Sequence, residues 1–357
     1  MLTAVLIYGA TFALAIAVAA IATPLVIHLA KRLGVLHGPE ERHMHTVPTP
    51  RIGGVAVYFG FAVALFTVLG IALSSPYALV PSALHAPLAH RYNVLSDQFE
   101  SIHQLVGLLF GSLLILGVGM WDDLMQMKPR NKLAAQSLVA LVSMLYGFII
   151  PGMTNPFNHN PSTNWIDFPA WVGVPLTLLW YVGMMNAINF IDGLDGLLAG
   201  FTAISSLFMA LIFLMHGDIV VAIVVLALAG AAIGFLPYNF NPARIFLGDA
   251  GSLFIGYVFA TVSIIGTSKT AIAISLIVPL VILALPVVDT AAVILRRSIT
   301  GKAVTEADRG HFHHLLIFRF GLNVRQAVLL IYALSFALGM VAFYVSGGLT
   351  HVFPHVN

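Results

Sequence analysis

The sequence predicts an all-α polytopic membrane protein with about ten transmembrane helices. Hydrophobic residues make up 59% of the 357 residues and only 8% are charged, whereas soluble domains carry about 25% charged residues. Apolar segments of about 20 residues, the length that crosses a bilayer as a helix, recur along the whole chain. A soluble fold of this length could not bury so much apolar surface, so the bilayer is the main solvent of the chain.

The predicted transmembrane segments follow one another with short polar connections. They are 4–30, 53–75, 104–121, 133–151, 169–190, 197–216, 219–237, 251–267, 270–290 and 326–347. The first is long for a signal peptide and has no basic amino-terminal region, so we expect it to be retained as a helix. No linker or internal repeat is evident, so residues 1–357 form one predicted domain. The absence of cysteine excludes disulfides, thiolate nucleophiles and cysteine-ligated metals.

The charged residues predict which face of the membrane carries the chemistry. If the loops alternate between faces, every lysine and arginine except Arg91 and Lys269 falls on one side, which the positive-inside rule makes cytoplasmic. The same side receives eight acidic residues, which are Asp122, Asp123, Asp192, Asp195, Asp249, Asp289, Glu306 and Asp308. We therefore expect a single cytoplasmic active surface built from several loops between helices.

The third segment ends in an acidic pair. Asp122 and Asp123 would oppose the helix macrodipole at a carboxyl terminus, so they do not serve the stability of that helix. Neighbouring carboxylates repel unless a cation or proton intervenes, which favours a cation-binding or catalytic role over two solvated acids. Lys128, Arg130 and Lys132 follow, either to bind phosphate or anionic lipid or to act as ordinary positive-inside anchors.

Asn186–Gly196, at the end of the fifth segment, is a polar stretch in apolar surroundings. Asn189, Asp192 and Asp195 lie three residues apart and would share one face of a helical turn. Gly193 and Gly196 weaken that helix and allow the backbone to approach a ligand closely. The alternative for Asp195 is an N-cap of the sixth helix.

The connection Tyr238–Ser252 joins the seventh and eighth segments. Gly248, Gly251 and Ser252 suit a turn whose amides point at an anion at the start of a helix. Asp249 in that turn is an oxygen ligand of the kind that Mg²⁺ takes together with substrate phosphates. The alternative is that Asp249 only caps the eighth helix.

The last polar tract, Asp308–His314, follows Arg296 and Arg297. Three histidines within four residues are compatible with zinc, but there is no cysteine and no paired helical spacing to support it. A loop that contacts sugar or phosphate explains the tract better than an ordinary basic loop. Together, the acids, bases and amides at one membrane face favour phosphoryl transfer between a soluble nucleotide and a lipid.

From about His45 to Leu322 the chain resembles the polyprenyl-phosphate N-acetylhexosamine-1-phosphate transferases, which form glycosyltransferase family 4. These include the muramoyl-pentapeptide transferase of peptidoglycan synthesis and the N-acetylglucosamine transferases of O-antigen and teichoic-acid synthesis. The resemblance rests on five motifs in order, which are Pro48–Gly54, Asp122–Asp123, Asn186–Gly196, Asn239–Ser252 and Asp308–His314.

The resemblance implies an activity and a set of site residues. A sugar-1-phosphate would pass from a UDP-N-acetylhexosamine to undecaprenyl phosphate at the bacterial cytoplasmic membrane, with Mg²⁺ or Mn²⁺ as cofactor and UMP as the second product. Asp249 and Asp123 would serve the metal, and Asp122, Asp123 and Asp192 would be catalytic. The implied substrate-binding residues are Arg51, Lys132, Asn189, Asp195, Asn239, Phe246, Arg296, Arg297, His311, His313 and His314. Membrane lipid is an expected partner and nucleic acid is not, and the sequence leaves open whether the protein forms a homodimer.

Two positions distinguish the branches of the family. The muramoyl-pentapeptide branch carries lysine where this chain has Gln126, and an acidic residue where it has Leu315 after the histidines. Both favour UDP-N-acetylglucosamine as the donor, with the muramoyl-pentapeptide transferase as the alternative. A secondary transporter, the rival from another class, would place its acids near the bilayer midplane in repeated halves. An aromatic prenyltransferase would require two aspartate-rich helical motifs.

Overall fold

The computed structural model describes residues 2–37, 48–74, 94–154, 165–269, 281–300 and 312–347, and these are almost entirely helical. The helices are α1 (Leu2–Leu33), α2 (Gly54–Ser74), α3 (Val94–Met125), α4 (Pro129–Met144), α5 (Ala170–Ile191), α6 (Leu197–His216), α7 (Ile219–Asn239), α8 (Gly248–Lys269), α9 (Ala284–Thr300), α10 (Phe312–Phe318) and α11 (Val324–Val345). The described residues also form two short antiparallel strand pairs, β1 (Leu36–His37) with β2 (Thr49–Pro50) and β3 (Gly152–Thr154) with β4 (Trp165–Asp167).

The prediction of an all-α polytopic membrane protein is confirmed, because eight helices of the described part are long and apolar enough to cross a membrane. The predicted count of ten is not confirmed. The helix at the span predicted for 133–151 is α4, which has only 16 residues, begins at Pro129 and ends at Met144. Phe148 and Ile150 made that span apolar, but they lie beyond the helix and are buried inside the protein.

About half of the ninth predicted span, 270–290, falls outside the described residues, which resume at residue 281. The helix described there, α9, begins at Ala284 and continues ten residues beyond the predicted end, to Thr300. The third span is also longer than predicted, because α3 continues through the acidic pair to Met125. Asp122 and Asp123 therefore lie in the last turn of α3, at the carboxyl end of the helix where the sequence placed them.

Helix α8 is the centre of the fold and packs against α2, α3 and α5. Nearly all of its residues are buried, including the large side chains of Phe254, Tyr257 and Phe259. Helix α7 forms a second packing centre between α1, α2 and α6, and α11 packs along α6. The outer faces of α1 and α11 expose apolar side chains such as Leu25 and Leu329, as expected for helices that face lipid.

A backbone clasp joins the start of α2 to the turn before α8. Phe246 donates its N–H to the carbonyl of Pro50 at 2.8 Å, and Gly53 returns an N–H to the carbonyl of Phe246 at 2.9 Å. A Cβ atom on Gly54 would lie 2.1 Å from the backbone nitrogen of Gly251, so only glycine allows this approach. The clasp fixes the segment that carries Arg51 beside the first turn of α8.

Candidate active site at one end of the helix bundle

Six charged side chains from five parts of the chain converge at one end of the bundle. Four are carboxylates and two are cations, and the set comprises Asp122 and Asp123 of α3, Asp192 after α5, Asp249 of α8, Lys132 of α4 and Arg51 before α2. The sequence predicted all six as site residues. Their convergence follows from membrane topology, since the ends of α3 and α5 meet the beginnings of α2, α4 and α8.

Lys132 lies between two of the carboxylates. Its Nζ atom is 2.8 Å from Oδ2 of Asp122 and 3.1 Å from Oδ1 of Asp249. The three side chains are only 9–16% exposed, so water screens this contact weakly. The ammonium group is therefore the cation shared by two helices that are distant in the sequence.

Asp123 caps the amino terminus of α8. Its Oδ1 accepts the N–H of Asp249 at 2.8 Å and its Oδ2 accepts the N–H of Ala250 at 2.9 Å. Arg51 Nε lies 3.5 Å from Oδ1, and the carboxylate is fully buried. Gly248 enters this turn with φ of +72°, which favours glycine. The turn was predicted to point its amides at an anion, and that anion is a side chain of the same protein.

Asp249 is held by an amide instead of capping its own helix. Asn189 Nδ2 donates to Oδ1 of Asp249 and, at 2.7 Å, to the hydroxyl of Ser252. The alternative in which Asp249 is only a helix cap is thus wrong, because Asp123 supplies the cap. Asn189 and Asp249 form one unit that joins α5 to α8.

The sequence did not predict a contact between α4 and α5, which is an amide pair formed by Asn186 and Gln136. Asn186 Nδ2 donates to Oε1 of Gln136 at 2.8 Å and so joins α5 to α4, one turn beyond Lys132. Gln136 is fully buried. Its position four residues after Lys132 in an apolar segment was the available signal, since a buried amide requires a polar partner.

Asp192 follows the last residue of α5, where the chain turns away from helical geometry with φ −76° and ψ 48°. The expectation that Asn189, Asp192 and Asp195 share a helical face is therefore wrong. Burial raises the pKa of Asp192 to about 7; Arg51 opposes this rise, and the carboxylates of Asp249, Asp123 and Asp195 add to it. A carboxyl group that titrates near neutral pH is suited to accept or release a proton.

Asp195 and Asn239 connect the two loops that flank the carboxylates. Asp195 Oδ2 accepts Asn241 Nδ2 and the N–H of Ala243, each at 3.0 Å. Asn239 accepts the N–H of Gly196 at 3.1 Å and donates to the carbonyl of Ile245 at 2.9 Å. The N-cap residue of α6 is Gly196, without a side-chain cap, so the capping alternative for Asp195 is wrong.

The two loops are the α5–α6 loop (192–196) and the α7–α8 loop (240–247). Asp195 and Asn239 use their polar atoms to fix one loop against the other. Phe246 is half-buried in the second loop, where its backbone forms the clasp to α2.

The histidine tract reaches the α5–α6 loop. His313 is buried, and a Cβ on Gly193 would lie 2.1 Å from its Nε2 atom. The ring of His314 is half-buried at 4.2 Å from that of His313. Asp289 of α9 accepts the N–H of Phe312 at 2.9 Å and so fixes the start of α10. The predicted residue His311 lies outside the described residues.

The two arginines that precede the histidine tract belong to the last part of α9, which packs on α5. Arg296 is exposed and Arg297 is buried. The prediction that they bind substrate phosphate stays a prediction.

The charge of the cluster fits a divalent cation. Four carboxylates face two basic side chains, which leaves two negative charges uncompensated when all are ionised. Among the described residues no group of three or more histidine, aspartate or glutamate side chains forms a closed metal site. Mg²⁺ needs no such cage, because it takes one or two carboxylates and completes its shell with phosphates and water. Asp249, at the centre of the cluster, is the donor that fits.

Comparisons with known proteins identify the family of this chain. The glycosyl transferase family 4 model matches residues 105–267, which include all four carboxylates. A probable undecaprenyl-phosphate N-acetylglucosaminyl 1-phosphate transferase of Bacillus subtilis (strain 168) is 32% identical over 90% of this chain and 80% of its own length. A decaprenyl-phosphate N-acetylglucosaminephosphotransferase of Mycobacterium tuberculosis (strain H37Rv) is 31% identical over 90% of this chain and 78% of its own.

A more distant relative belongs to the other branch. A phospho-N-acetylmuramoyl-pentapeptide-transferase of Staphylococcus aureus (strain Newman) is 27% identical over 93% of this chain and 97% of its own length. The order of these identities agrees with the branch that Gln126 and Leu315 favour.

Proposed function

The chain belongs to glycosyl transferase family 4, and on that premise we propose that it transfers N-acetylglucosamine-1-phosphate from UDP-N-acetylglucosamine to undecaprenyl phosphate. The products are a lipid-linked pyrophosphoryl sugar and UMP, and the reaction starts a cell-envelope polysaccharide. The observation that carries the proposal is the cluster of four carboxylates, Lys132 and Arg51 at one end of a bundle of apolar helices. Such a site offers charges to phosphates that arrive both from water and along the membrane.

The active site faces the cytoplasm in this proposal. Basic residues of the described part gather at the end of the bundle that carries the cluster, among them Lys31, Arg32, Lys128 and Arg130. The positive-inside rule makes that end cytoplasmic, and nucleotide sugars are cytoplasmic substrates. The enzyme would therefore be a multi-pass protein of the bacterial cytoplasmic membrane.

The reaction is a direct displacement at phosphorus. A phosphate oxygen of undecaprenyl phosphate forms a bond to the β-phosphorus of the donor, and the bond from that phosphorus to the oxygen of UMP breaks. Positioning and charge neutralisation carry most of such a reaction. Lys132 and Arg51 hold phosphate oxygens, and Asp192, with its pKa raised to about 7 by burial, takes the proton of the acceptor phosphate when one is present.

The two acids of α3 take different parts in this mechanism. Asp122 holds Lys132 and thereby orients the acceptor phosphate. Asp123 uses both oxygens to cap α8 and holds Asp249 in place.

We also propose Mg²⁺ as the cofactor, with Mn²⁺ as a substitute, held by Asp249 with Asp123 beside it. When bound, the ion neutralises charge on the pyrophosphate of the donor. Asp249→Asn keeps the size of the side chain and removes its charge, so Mg²⁺-dependent turnover and the rise in melting temperature on adding Mg²⁺ should both disappear. The exposed Asp167→Asn is the matched control. Near-normal activity of Asp249→Asn would remove the metal assignment.

We assign the binding of the nucleotide to the α5–α6 loop, the α7–α8 loop and the histidine tract, and call these three segments the nucleotide side of the pocket. Asn189 and Phe246 line it, while Asp195 and Asn239 keep the two loops in register. The remaining substrate contacts assigned here are Arg296, Arg297, His311, His313 and His314.

The decisive experiment uses the purified protein in detergent with undecaprenyl phosphate and radiolabelled donors. UDP-N-acetylglucosamine should give a labelled lipid and UMP, at a higher rate than UDP-N-acetylgalactosamine or UDP-muramoyl-pentapeptide. If no UDP-hexosamine yields a lipid-linked sugar, the proposed function is wrong. A labelled sugar-phosphate bound covalently to the protein would replace the direct displacement by a two-step route.

A further inference from the structure

Helix α11 contacts both loops of the nucleotide side, although it lies beyond the matched family region and beyond the five motifs. Tyr332 donates its hydroxyl hydrogen to the carbonyl of Gly196, in the α5–α6 loop. Arg325 Nε donates to the carbonyl of Asn241 at 3.1 Å, in the α7–α8 loop. One helix thus holds two loops that are far apart in the sequence.

The path of Tyr332 to its acceptor depends on a small residue in α6. A Cβ on Gly200 would lie 2.0 Å from both Cζ and the hydroxyl oxygen of Tyr332, so the ring crosses α6 where that helix has no side chain. The ring is largely buried by this crossing. The hydroxyl then reaches the carbonyl of Gly196, the N-cap residue of α6, which also accepts the N–H of Gly200 at 3.1 Å.

The start of α11 is fixed as well. Asn323 accepts the N–H of Gln326 at 2.9 Å, and Gln326 Oε1 accepts the N–H of Asn323 at 3.0 Å, which is a capping box. Arg325 lies within this first turn. Its guanidinium therefore extends from a defined helix end towards Asn241.

The loops complete a closed circuit of hydrogen bonds. Asn241 donates its side-chain amide to Asp195, and Gly196 donates its N–H to Asn239. With Tyr332 on Gly196 and Arg325 on Asn241, each loop is bonded to the other and to α11. A shift of either loop would break contacts on two sides.

We propose that Tyr332 and Arg325 are positioning residues that hold the two loops, and through them Asp195 and Asn239, in the geometry that binds the nucleotide sugar. This inference rests on the proposed function, because it takes these loops as the nucleotide side of the pocket. Neither residue touches the reacting atoms. Their effect is on the affinity for the donor and not on the acceptor lipid.

Tyr332→Phe tests the proposal, because it removes one hydrogen bond and keeps the ring that packs on Gly200. Loss of a bond of this kind should raise the KM for UDP-N-acetylglucosamine about three- to tenfold. The KM for undecaprenyl phosphate and the melting temperature should stay close to wild type. Tyr344→Phe, at an exposed position of the same helix, is the matched control and should change neither KM.

Arg325→Gln should raise the same KM by a smaller factor, about twofold, because its contact is exposed to solvent. The exposed Arg319→Gln is its control. Equal changes in both KM values, or a loss of folded protein with KM values unchanged, would show a merely structural role and overturn the proposal.

Hydrogen–deuterium exchange provides a readout that does not depend on turnover. Peptides that cover residues 192–198 and 240–247 should exchange faster in Tyr332→Phe than in wild type or in Tyr344→Phe. Unchanged exchange would overturn the proposal even if KM changed. If the wild-type protein makes no product from UDP-N-acetylglucosamine, the proposed function fails, and exchange alone then decides whether α11 holds the loops.

Discussion

Replacing Asp123 by asparagine separates a positioning role of this residue from a direct one. The substitution keeps the size of the side chain and one acceptor oxygen. The second oxygen becomes an NH₂ group that faces a backbone N–H of the first turn of α8, so two donors meet where a donor and an acceptor met. Because the carboxylate has no exposed surface, water does not replace the lost bond.

The size of the effect follows from the kind of bond that is lost. A hydrogen bond to a charged group contributes about 1.5–3 kcal/mol. If opening of the first turn of α8 becomes easier by that amount, exchange of the amide hydrogens of Asp249 and Ala250 should accelerate about 10- to 150-fold, since each 1.4 kcal/mol corresponds to about a factor of ten.

The assay is hydrogen–deuterium exchange of the protein in detergent, followed for peptides that cover residues 248–254. Asp167→Asn is the control, because Asp167 is exposed and lies outside the cluster. Exchange should accelerate in Asp123→Asn alone, and turnover should fall because Asp249 shares the loosened turn. Equal exchange in wild type and Asp123→Asn would refute the capping role and would favour a direct catalytic role of Asp123.

Three further predictions concern charge and packing. Lys132→Met leaves two carboxylates without their shared cation, so the free energy of unfolding of the metal-free protein should fall by about 3 kcal/mol. Adding Mg²⁺ should then raise the melting temperature of Lys132→Met more than that of wild type, and an equal rise would contradict this prediction. Burial raises the pKa of Asp192 to about 7. The protonated carboxyl therefore makes its full contribution to the stability of the fold below about pH 4, and this contribution is lost as the pH rises through 7. Melting temperatures of the metal-free protein between pH 5 and 8 should therefore fall more steeply than those of Asp192→Asn. Gly54→Ala places a Cβ 2.1 Å from the nitrogen of Gly251 and should cost about 1–3 kcal/mol, whereas Gly117→Ala, with no atom within 4 Å of its Cβ, should melt like wild type.

The sequence was sufficient to predict the convergence of the acids. Helices that cross a membrane alternate in direction, so the parity of each connection decides which end of the bundle it joins. Asp122, Asp192 and Asp249 lie at helix ends beside connections of the same parity, and the structure brings them to one end of the bundle. The glycines around Asp249 likewise predicted a tight turn.

The partners of those acids could not be predicted, because they come from distant parts of the chain. A local rule offers Asp195 as the cap of the helix that follows it, but its acceptor oxygen is taken by Asn241 and Ala243 of another loop. Asp123 caps a helix whose start lies far along the sequence. Local capping rules consider only residues that are close in the sequence. The partners of Asp195 and Asp123 could therefore be assigned only from the tertiary structure.

Composition also cannot separate burial in protein from burial in lipid. Phe148 and Ile150 extended the fourth predicted span although they lie in a buried connection after α4. Tyr332 lies in a mostly apolar helix that the sequence predicts only as a membrane span. Its pairing with Gly200 was not visible, because the spacing between helices is not written in either segment.

The helices differ widely in how much of them is buried within the protein. In the spanning part of α8, 94% of the residues are buried, compared with 28% in α1 and in α11. Random substitution should therefore be tolerated mainly on the outer faces of α1 and α11, and rejected almost everywhere along α8. Bilayers differ in thickness and fluidity between organisms that live at different temperatures. Substitutions on the outer faces of α1 and α11 can match the protein to such bilayers without altering the end of the bundle that carries the charged cluster.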